Sequence, residues 1–512
     1  RVSTNGGLVT ENWFDLNASR YTPSSTLQRM ELLKTGYMGT LSLGWDNYLF
    51  LELTGRQERS STLKDQSFFY PSANLSFLFT QAFHMPSWWN YGKLRLSYGI
   101  VGNAPETYAA NIIYEQGSDN GFTWNTIPSS WGNADIRPEK KYEYEIGLES
   151  KFLNNRLGID ISYYNNRVKD QILSTPQPST SGVKNVLMNV GEVANRGWDI
   201  SISATPILTR DFRWDLTANY GVYKNKVVKL ADGVPYLEIL NSGGSGIKIQ
   251  AVEGQPMGDI YAQVPQVNEN GEYLVSDKGL YLNQTELQKV GNINPAGVGG
   301  LFNSFSYKNV FLDFSIDFRI GGDVINEMNQ YATAVGLTPE SLKYRDTEHG
   351  GLSYYYPGDN NSSGIPVQVD PSTGAGPNGE IIYHDGIILP GVVASTGERN
   401  TRIIPAGYYY NTTYNWGTEA EQLTYRHSVF DNSYVKLREL TIGYQFPEKM
   451  ISKLGLGRLS VSVFGRNLFY FYKALKNYDA ESSVGTSWAN QATVGSSTTA
   501  TRSFGVSLRA SF

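Results

Sequence analysis

The chain ends Ser503-Phe504-Gly505-Val506-Ser507-Leu508-Arg509-Ala510-Ser511-Phe512, and the fold turns on how this stretch is read. Successive side chains of a strand point to opposite faces. Extended, the segment therefore puts Phe504, Val506, Leu508, Ala510 and Phe512 on one side. Ser503, Gly505, Ser507, Arg509 and Ser511 fall on the other. The same period recurs upstream. Leu312, Phe314, Ile316, Phe318 and Ile320 interleave with Asp313, Ser315, Asp317 and Arg319, and Trp198, Ile200, Ile202 and Ala204 with Asp199, Ser201 and Ser203. Leu94, Leu96, Tyr98 and Ile100 oppose Lys93, Arg95, Ser97 and Gly99; Tyr142, Tyr144, Ile146 and Leu148 oppose Glu143, Glu145, Gly147 and Glu149. About thirteen such strands can be counted, many longer than the roughly five or six residues usual in soluble sheets. About nine to eleven tilted residues cross a bilayer, and no apolar run of about 18 residues offers a transmembrane helix. One strand breaks the rule: Leu440, Ile442, Tyr444 and Phe446 share a face with Lys436 and Arg438. A bulge, or a strand end projecting beyond the lipid, would account for it.

The connections between these strands alternate in length. Short ones fall at Asp46-Asn47, 84–92, 154–156, 209–212, Lys308-Asn309 and 447–457; long ones near 103–139, 170–189, 230–296, 321–432 and 473–500. Short turns on one edge and long loops on the other are the layout of an outer-membrane barrel, with the long loops extracellular. Aromatic residues flank the strands as an interfacial belt would: Trp45, Tyr48, Trp88, Trp89 and Trp214 near short turns, and Tyr37, Tyr163, Tyr220, Phe469 and Phe471 toward the other ends. The fold class expected is all-β, a transmembrane antiparallel β-barrel.

Composition narrows the function. The 512 residues carry 43 basic and 48 acidic side chains, a formal charge of −5, which gives no electrostatic basis for binding nucleic acid. With no cysteine, disulfide scaffolds, thiol catalysis and cysteine-zinc sites are excluded. The opening Arg1-Val2-Ser3 has neither an initiator Met nor a leader-like pattern, so the numbering is expected to start inside a larger protein.

Several motifs then occur in a telling order. Asp431-Asn432-Ser433-Tyr434-Val435-Lys436-Leu437-Arg438-Glu439-Leu440-Thr441-Ile442-Gly443-Tyr444 is followed by Phe446-Pro447-Glu448-Lys449, by Leu454-Gly455 and by Val461-Ser462-Val463-Phe464-Gly465-Arg466-Asn467-Leu468-Phe469. Upstream stand Asn189-Val190-Gly191-Glu192-Val193-Ala194-Asn195-Arg196-Gly197-Trp198, Tyr70-Pro71-Ser72-Ala73-Asn74-Leu75-Ser76 and Val252-Glu253-Gly254-Gln255-Pro256-Met257-Gly258. This set closely resembles the signature of SusC/RagA-type TonB-dependent outer-membrane transporters, and the terminal Phe512 resembles that family's barrel-assembly ending. The resemblance implies that residues 1–512 are the C-terminal portion of a barrel of about 22 strands, with the plug and TonB-contacting segment outside this sequence. It implies active import of oligosaccharides, or of oligopeptides by the same mechanism, with a SusD-like surface lipoprotein as lid and TonB as energy source. A dimer of transporter–lipoprotein pairs is a further implied arrangement. A passive porin and a soluble β-rich carbohydrate-binding protein are the competing readings; the first needs no plug, the second no detergent.

Catalytic chemistry finds no foothold: no nucleophile elbow, phosphate loop or HExxH stretch occurs, and no catalytic residue, cofactor or metal is expected. Glu143 and Glu145 share a face, as paired carboxylates would, but a hydrated wall is the better account. His84, His349, His384 and His427 lack chelating spacing, and Asp359-Asn360-Asn361 lacks the rest of a calcium loop. The long loops carry the candidate substrate contacts: Trp124, Trp131, Tyr354, Tyr355, Tyr356, Tyr408, Tyr409 and Trp488, with Tyr410 beside them. Aromatic faces stack on sugar rings and hold peptide side chains. Asp359, Asp370, Glu380 and Asp385 would add hydrogen-bond acceptors.

Overall fold

The computed structural model describes the chain apart from residues 1, 26–28, 65–66, 120–121, 243–245, 359–363, 416–423, 453–454, 484, 486, 496–499 and 512. Its frame is one 13-stranded antiparallel sheet in which each strand pairs with its sequence neighbours. The strands are β1 (Lys34–Trp45), β2 (Leu49–Ser60), β3 (Ser67–Phe77), β4 (Trp89–Asn103), β5 (Glu139–Phe152), β6 (Leu157–Lys169) and β7 (Glu192–Leu208). The series continues with β8 (Phe212–Lys229), β9 (Gly297–Tyr307), β10 (Val310–Ile320), β11 (Tyr434–Gln445), β12 (Arg458–Lys473) and β13 (Ser503–Ser511). Lengths run from 9 residues in β13 to 18 in β8, enough to cross a bilayer with a tilt. Among the described residues, nothing pairs with the free edge of β1 or of β13.

The alternation read from sequence becomes rows across the sheet, because residues facing each other across a pair share a face. One row runs Leu43, Leu51, Leu75, Leu96, Ile146, Tyr163, Trp198, Val222 through β1 to β8. The next row toward the short turns holds Leu94, Leu148, Ile161, Ile200 and Tyr220. On the opposite face the rows are polar: Lys93, Glu149, Asp160, Ser201 and Asn219 lie side by side. In a bilayer the first face meets hydrocarbon and the second faces the barrel interior.

Turn chemistry fixes the short edge. Asp46 and Asn47 both adopt left-handed backbone (φ 46° and 59°), the geometry of a tight turn that matches strand twist. Leu153, Asn154 and Asn155 do the same between β5 and β6 (φ 55°, 58° and 62°). Rings gather above these turns: Trp88 stacks on Trp89 and on Phe152, each at 6.0 Å, and Trp214 stacks on Phe305 at 5.5 Å. On the other edge the connections are long, save the link between β2 and β3.

The irregular strand is bulged. Ser315 pairs with Glu439 and Ile316 with Leu437, so Arg438 is the extra residue of β11. Below the bulge Phe314 meets Leu440; above it Asp317 meets Lys436. The slip returns Lys436 to the polar face, and Asn467 on the facing strand takes up a positive φ of 53° opposite it. The bulge, not projection beyond lipid, reconciles these two cations with the apolar residues that follow.

The long loops fold into a layer of their own. A four-stranded sheet (236–242, 247–252, 259–262, 288–292) packs a core of Ile247, Ile249, Ile260 and Ala262 against Ile325, Tyr425 and Val429. Within the longest loop, helix α1 (Glu327–Ala334) is capped by the Asn326 side chain, which accepts from the Asn329 amide at 3.0 Å. Helix α2 (Ala406–Tyr414) packs on α1 and on strands 383–387 and 404–405 of a small four-stranded sheet completed by 352–355 and 367–368.

Candidate functional site

The polar face is cross-linked rather than merely hydrated. Arg95 on β4 reaches over β5 to Asp160 on β6, donating from Nη2 to Oδ1 at 2.6 Å and from Nη1 to Oδ2 at 3.2 Å. Gly147 opens the path: a Cβ there would sit 2.8 Å from Arg95 Nη2. Glu149 closes the group at 3.4 Å from Arg95 Nη1. Glu143 accepts from Asn166 Nδ2 at 3.0 Å and pairs with Lys141 at 2.6 Å, and Asn195 in turn donates to Asn166 at 2.9 Å. Glu143 and Glu145 do share a face, and Glu143 is engaged as a wall group by Lys141 of its own strand and Asn166 of β6.

At the extracellular end of this face sits a second charge cluster. Arg438, freed by the bulge, donates to Asp317 at 2.5 Å, to Asn467 at 2.9 Å and to both oxygens of Glu481 at 2.9 and 2.5 Å. Lys436, only 1% exposed, places its ammonium 2.6 Å from Glu481 and 4.8 Å over the Tyr470 ring. Burial pushes the Glu481 carboxyl up, but hydrogen bonds from Arg438 and Lys436 and their charges prevail and hold it at about 2. Glu481 lies in the last long loop, so this cluster ties that loop to the wall. Sequence reading passed over Glu481; the signal was the pair of cations at the wrong parity, which needed a counter-ion.

The aromatic candidates scatter over several loops. Trp124 sits in the hairpin of strands 115–119 and 122–126, 46% exposed, its ring lying over Gly117. Trp131 meets Tyr114 edge-on at 6.1 Å. Tyr354, Tyr355 and Tyr356 are buried in the loop layer. The Tyr354 hydroxyl donates to Asp385 at 3.0 Å, and its ring stacks on Tyr383 at 5.5 Å and meets Tyr356 edge-on at the same distance. Burial, and then the charge of Asp385, drives its phenol far up. Tyr409 packs against Tyr410 at 5.0 Å and Tyr414 at 6.2 Å, whereas Tyr408, one residue earlier on α2, is exposed. Trp488 is 37% exposed and rests on Gly258, where a Cβ would come within 2.9 Å of the ring. Among the described residues, no ring contact joins Trp124, Trp131 or Trp488 to the tyrosine groups. The open faces are those of Trp124, Tyr408 and Trp488. Phe512 and Asp359-Asn360-Asn361 lie outside the described residues.

The remaining candidates have local partners. Glu380 accepts from the amides of Gly358 at 3.1 Å and Asn378 at 2.8 Å, which hold its carboxyl at about 2. Hydrogen bonds from Ser372 lower Asp370. His349 bonds Asp346 at 2.7 Å, and His384 bonds Ser353 at 2.8 Å. His427 stacks on Tyr414 at 4.4 Å; burial, then the charge of Arg426, lowers it to about 4.

A wall of long antiparallel strands, apolar outside and ionic inside, with short turns at one edge and folded loops at the other, is the wall of an outer-membrane barrel. The comparisons agree. The model of the family "TonB dependent receptor-like, beta-barrel" matches residues 7–268, and the chain belongs to that family. TonB-dependent receptor P3 of Formosa agariphila is 24% identical over 494 residues, covering 88% of this chain and 42% of the relative. TonB-dependent receptor SusC of Bacteroides thetaiotaomicron is 30% identical over 247 residues, 44% of this chain and 24% of SusC. Among solved structures, the RagAB peptide transporter superposes with a TM-score of 0.65 at 19% identity, over 92% of this chain and 48% of that one. The chain thus spans less than half the length of these relatives, and its place is the bacterial outer membrane.

Proposed function

We propose that this chain builds the wall and extracellular loop layer of an active importer that takes up oligosaccharides. In this reading a SusD-like surface lipoprotein caps the mouth and presents the ligand. TonB, acting through a plug outside this sequence, drives passage to the periplasm, and two transporter–lipoprotein pairs associate as a dimer. The observation that carries the substrate class is the set of open aromatic faces, Trp124, Tyr408 and Trp488, on loops at the extracellular edge of an ionic inner wall. Indole and phenol faces match the apolar faces of sugar rings, and the Tyr354–Tyr356 group supports the loops behind them. The SusC-type resemblance of the sequence implies the same class. Import of oligopeptides is the second reading, favoured by the fold likeness to the RagAB peptide transporter. Diffusion through a passive pore is the third.

The test pairs the full-length transporter with its lipoprotein. Calorimetric titration with a series of neutral oligosaccharides and with mixed oligopeptides is expected to give heat with at least one glycan and none with the peptides. Uptake of that glycan by cells should stop when TonB is deleted. Peptide binding without glycan binding would replace the first reading with the second, and uptake independent of TonB would establish the passive pore.

A further inference from the structure

On the outward face of β5 to β8 the chemistry changes abruptly along the strands. From the short turns upward the facing residues are Phe152, Leu157, Ala204 and Leu216, then Ser150, Ile159, Ile202 and Ala218, then Leu148, Ile161, Ile200 and Tyr220, then Ile146, Tyr163, Trp198 and Val222. Same-face rows are about 6.8 Å apart along a strand, so these four rows cover roughly 20 Å, close to the apolar band of a membrane barrel. Tyr163 and Trp198, 4.9 Å apart, mark its upper limit as interfacial rings do.

The very next rows are cationic. Tyr144, Asn165, Arg196 and Lys224 face one another, then Tyr142, Arg167, Ala194 and Lys226, then Lys140, Lys169 and Glu192. Glu192 is the only carboxylate in these rows, and it is shared by Arg167 at 3.0 Å and Lys169 at 3.9 Å. Arg196, Lys224 and Lys226 are exposed and, among the described residues, have no carboxylate within ion-pair reach. The surface is also concave. A cavity of about 220 Å³ is floored by Tyr98, Tyr142 and Tyr144 and rimmed by Asn165, Arg167 and Lys169; its one carboxylate, Glu143, is engaged by Lys141 at 2.6 Å. A larger one of about 930 Å³ shares Asn165 and Arg167, takes in Arg196, Lys224, Lys226 and Lys289, and reaches Asn195, Tyr223 and Asn225 of the polar face. Its two carboxylates are engaged: Asp259 pairs with Lys289 at 2.7 Å, and Asp323 accepts from the Asn292 amide at 2.9 Å.

A chain with a net charge of −5 has no general excess of cations to scatter here. We propose that this patch is a seat for the phosphorylated head group of an outer-leaflet lipid. The phosphates lie between Arg167, Arg196, Lys224 and Lys226, and the acyl chains lie against Ile146, Trp198 and Val222 one row below. Only a ligand joining an anion to hydrocarbon covers both rows at once, which favours a lipid over a free anion. Arginine supplies bidentate donors and lysine point charge to phosphate oxygens.

Native mass spectrometry of the full-length protein in detergent micelles tests the assignment. A bisphosphorylated acyl glycolipid is the probe, its dephosphorylated form the lipid control, and inorganic pyrophosphate the free-anion competitor. The bisphosphorylated lipid is expected to bind at least tenfold more tightly than the dephosphorylated one. The combined variant Arg167→Gln, Arg196→Gln, Lys224→Gln should bring the two within about twofold, and pyrophosphate at equal concentration should displace neither. Equal retention of both lipids by the unaltered protein, or an unchanged preference in the variant, overturns the proposal. Displacement by pyrophosphate also overturns it, marking a site for soluble anions. Folding of the variant is read from heat-dependent gel migration. If it does not fold, Lys224→Gln alone serves, with about a threefold loss of preference expected and no loss counting against the assignment.

Discussion

Replacing Glu481 with Gln is expected to release the last long loop from the wall. The carboxylate stands 2.6 Å from the Lys436 ammonium and 2.9 Å from Arg438 Nη1, and it is held at about 2 against an ordinary 4.5. Discounted for the solvent that reaches this partly exposed carboxylate, that displacement corresponds to about 1.5 kcal/mol of stabilisation at neutral pH. Gln keeps the shape and loses the charge, leaving Lys436, 1% exposed, without its counter-ion. Hydrogen exchange of peptides within 474–495 reads the effect: protection at pH 7 should fall about tenfold, the equivalent of that energy. The sign with pH follows from the lowered carboxyl. The contribution is complete above 4.5 and drains away as the pH falls toward 2, so the unaltered protein should converge on the variant in acid. Adding Lys436→Met to Glu481→Gln should recover much of the protection, because the stranded charge is the costly element. Unchanged exchange in the single variant would refute the reasoning, as would a double variant worse than the single by the separate cost of Lys436→Met.

Three further outcomes are expected. Ile200→Arg, in the middle of the apolar rows, should destabilise the barrel in lipid vesicles by about 2–4 kcal/mol by urea titration, while Ser201→Arg on the opposite face should cost little. His427 is held at about 4 by burial and Arg426, below its ordinary 6.5, so its loop should lose about 2 kcal/mol of stability between pH 6.5 and 5. His427→Leu should abolish that acid sensitivity, read by exchange of peptides spanning 424–431. Trp488→Ala should weaken oligosaccharide binding about tenfold with the fold intact, the loss of one stacking face at about 1.5 kcal/mol, measured by titration calorimetry.

What the sequence disclosed was whatever is local. Alternation such as Trp198-Asp199-Ile200-Ser201 depends only on neighbouring residues, so the strands, their two faces and the turn at Asp46-Asn47 were legible directly. The bulge at Arg438 was visible only as a parity fault in β11; which of two causes applied needed the pairing of Ile316 with Leu437. The loop layer was opaque for a different reason. Tyr354 and Tyr408 look alike as tyrosines in runs, yet Tyr354 is 1% exposed and Tyr408 40%, because small sheets within the loops decide which ring turns inward. Glu481 finds its partners 43 and 45 residues back along the chain, a closure no periodicity announces. The cationic rows over the girdle needed register: Arg167, Arg196 and Lys224 are unremarkable singly and become a surface only once β6, β7 and β8 are aligned.

The most direct test of the whole account is which face of the sheet meets lipid. The chain has no cysteine of its own, so single cysteines at Ile159, Ile161, Asp199, Ile200, Ser201 and Ile202 can each carry one fluorophore in the reconstituted full-length protein. Quenching by nitroxide lipids should alternate with period two, strong at Ile159, Ile161, Ile200 and Ile202 and weak at Asp199 and Ser201. An aqueous quencher should give the opposite order. Apolar positions shielded from both quenchers would mean that these side chains are buried between protein layers, and the outer-membrane wall would be the wrong description of this chain.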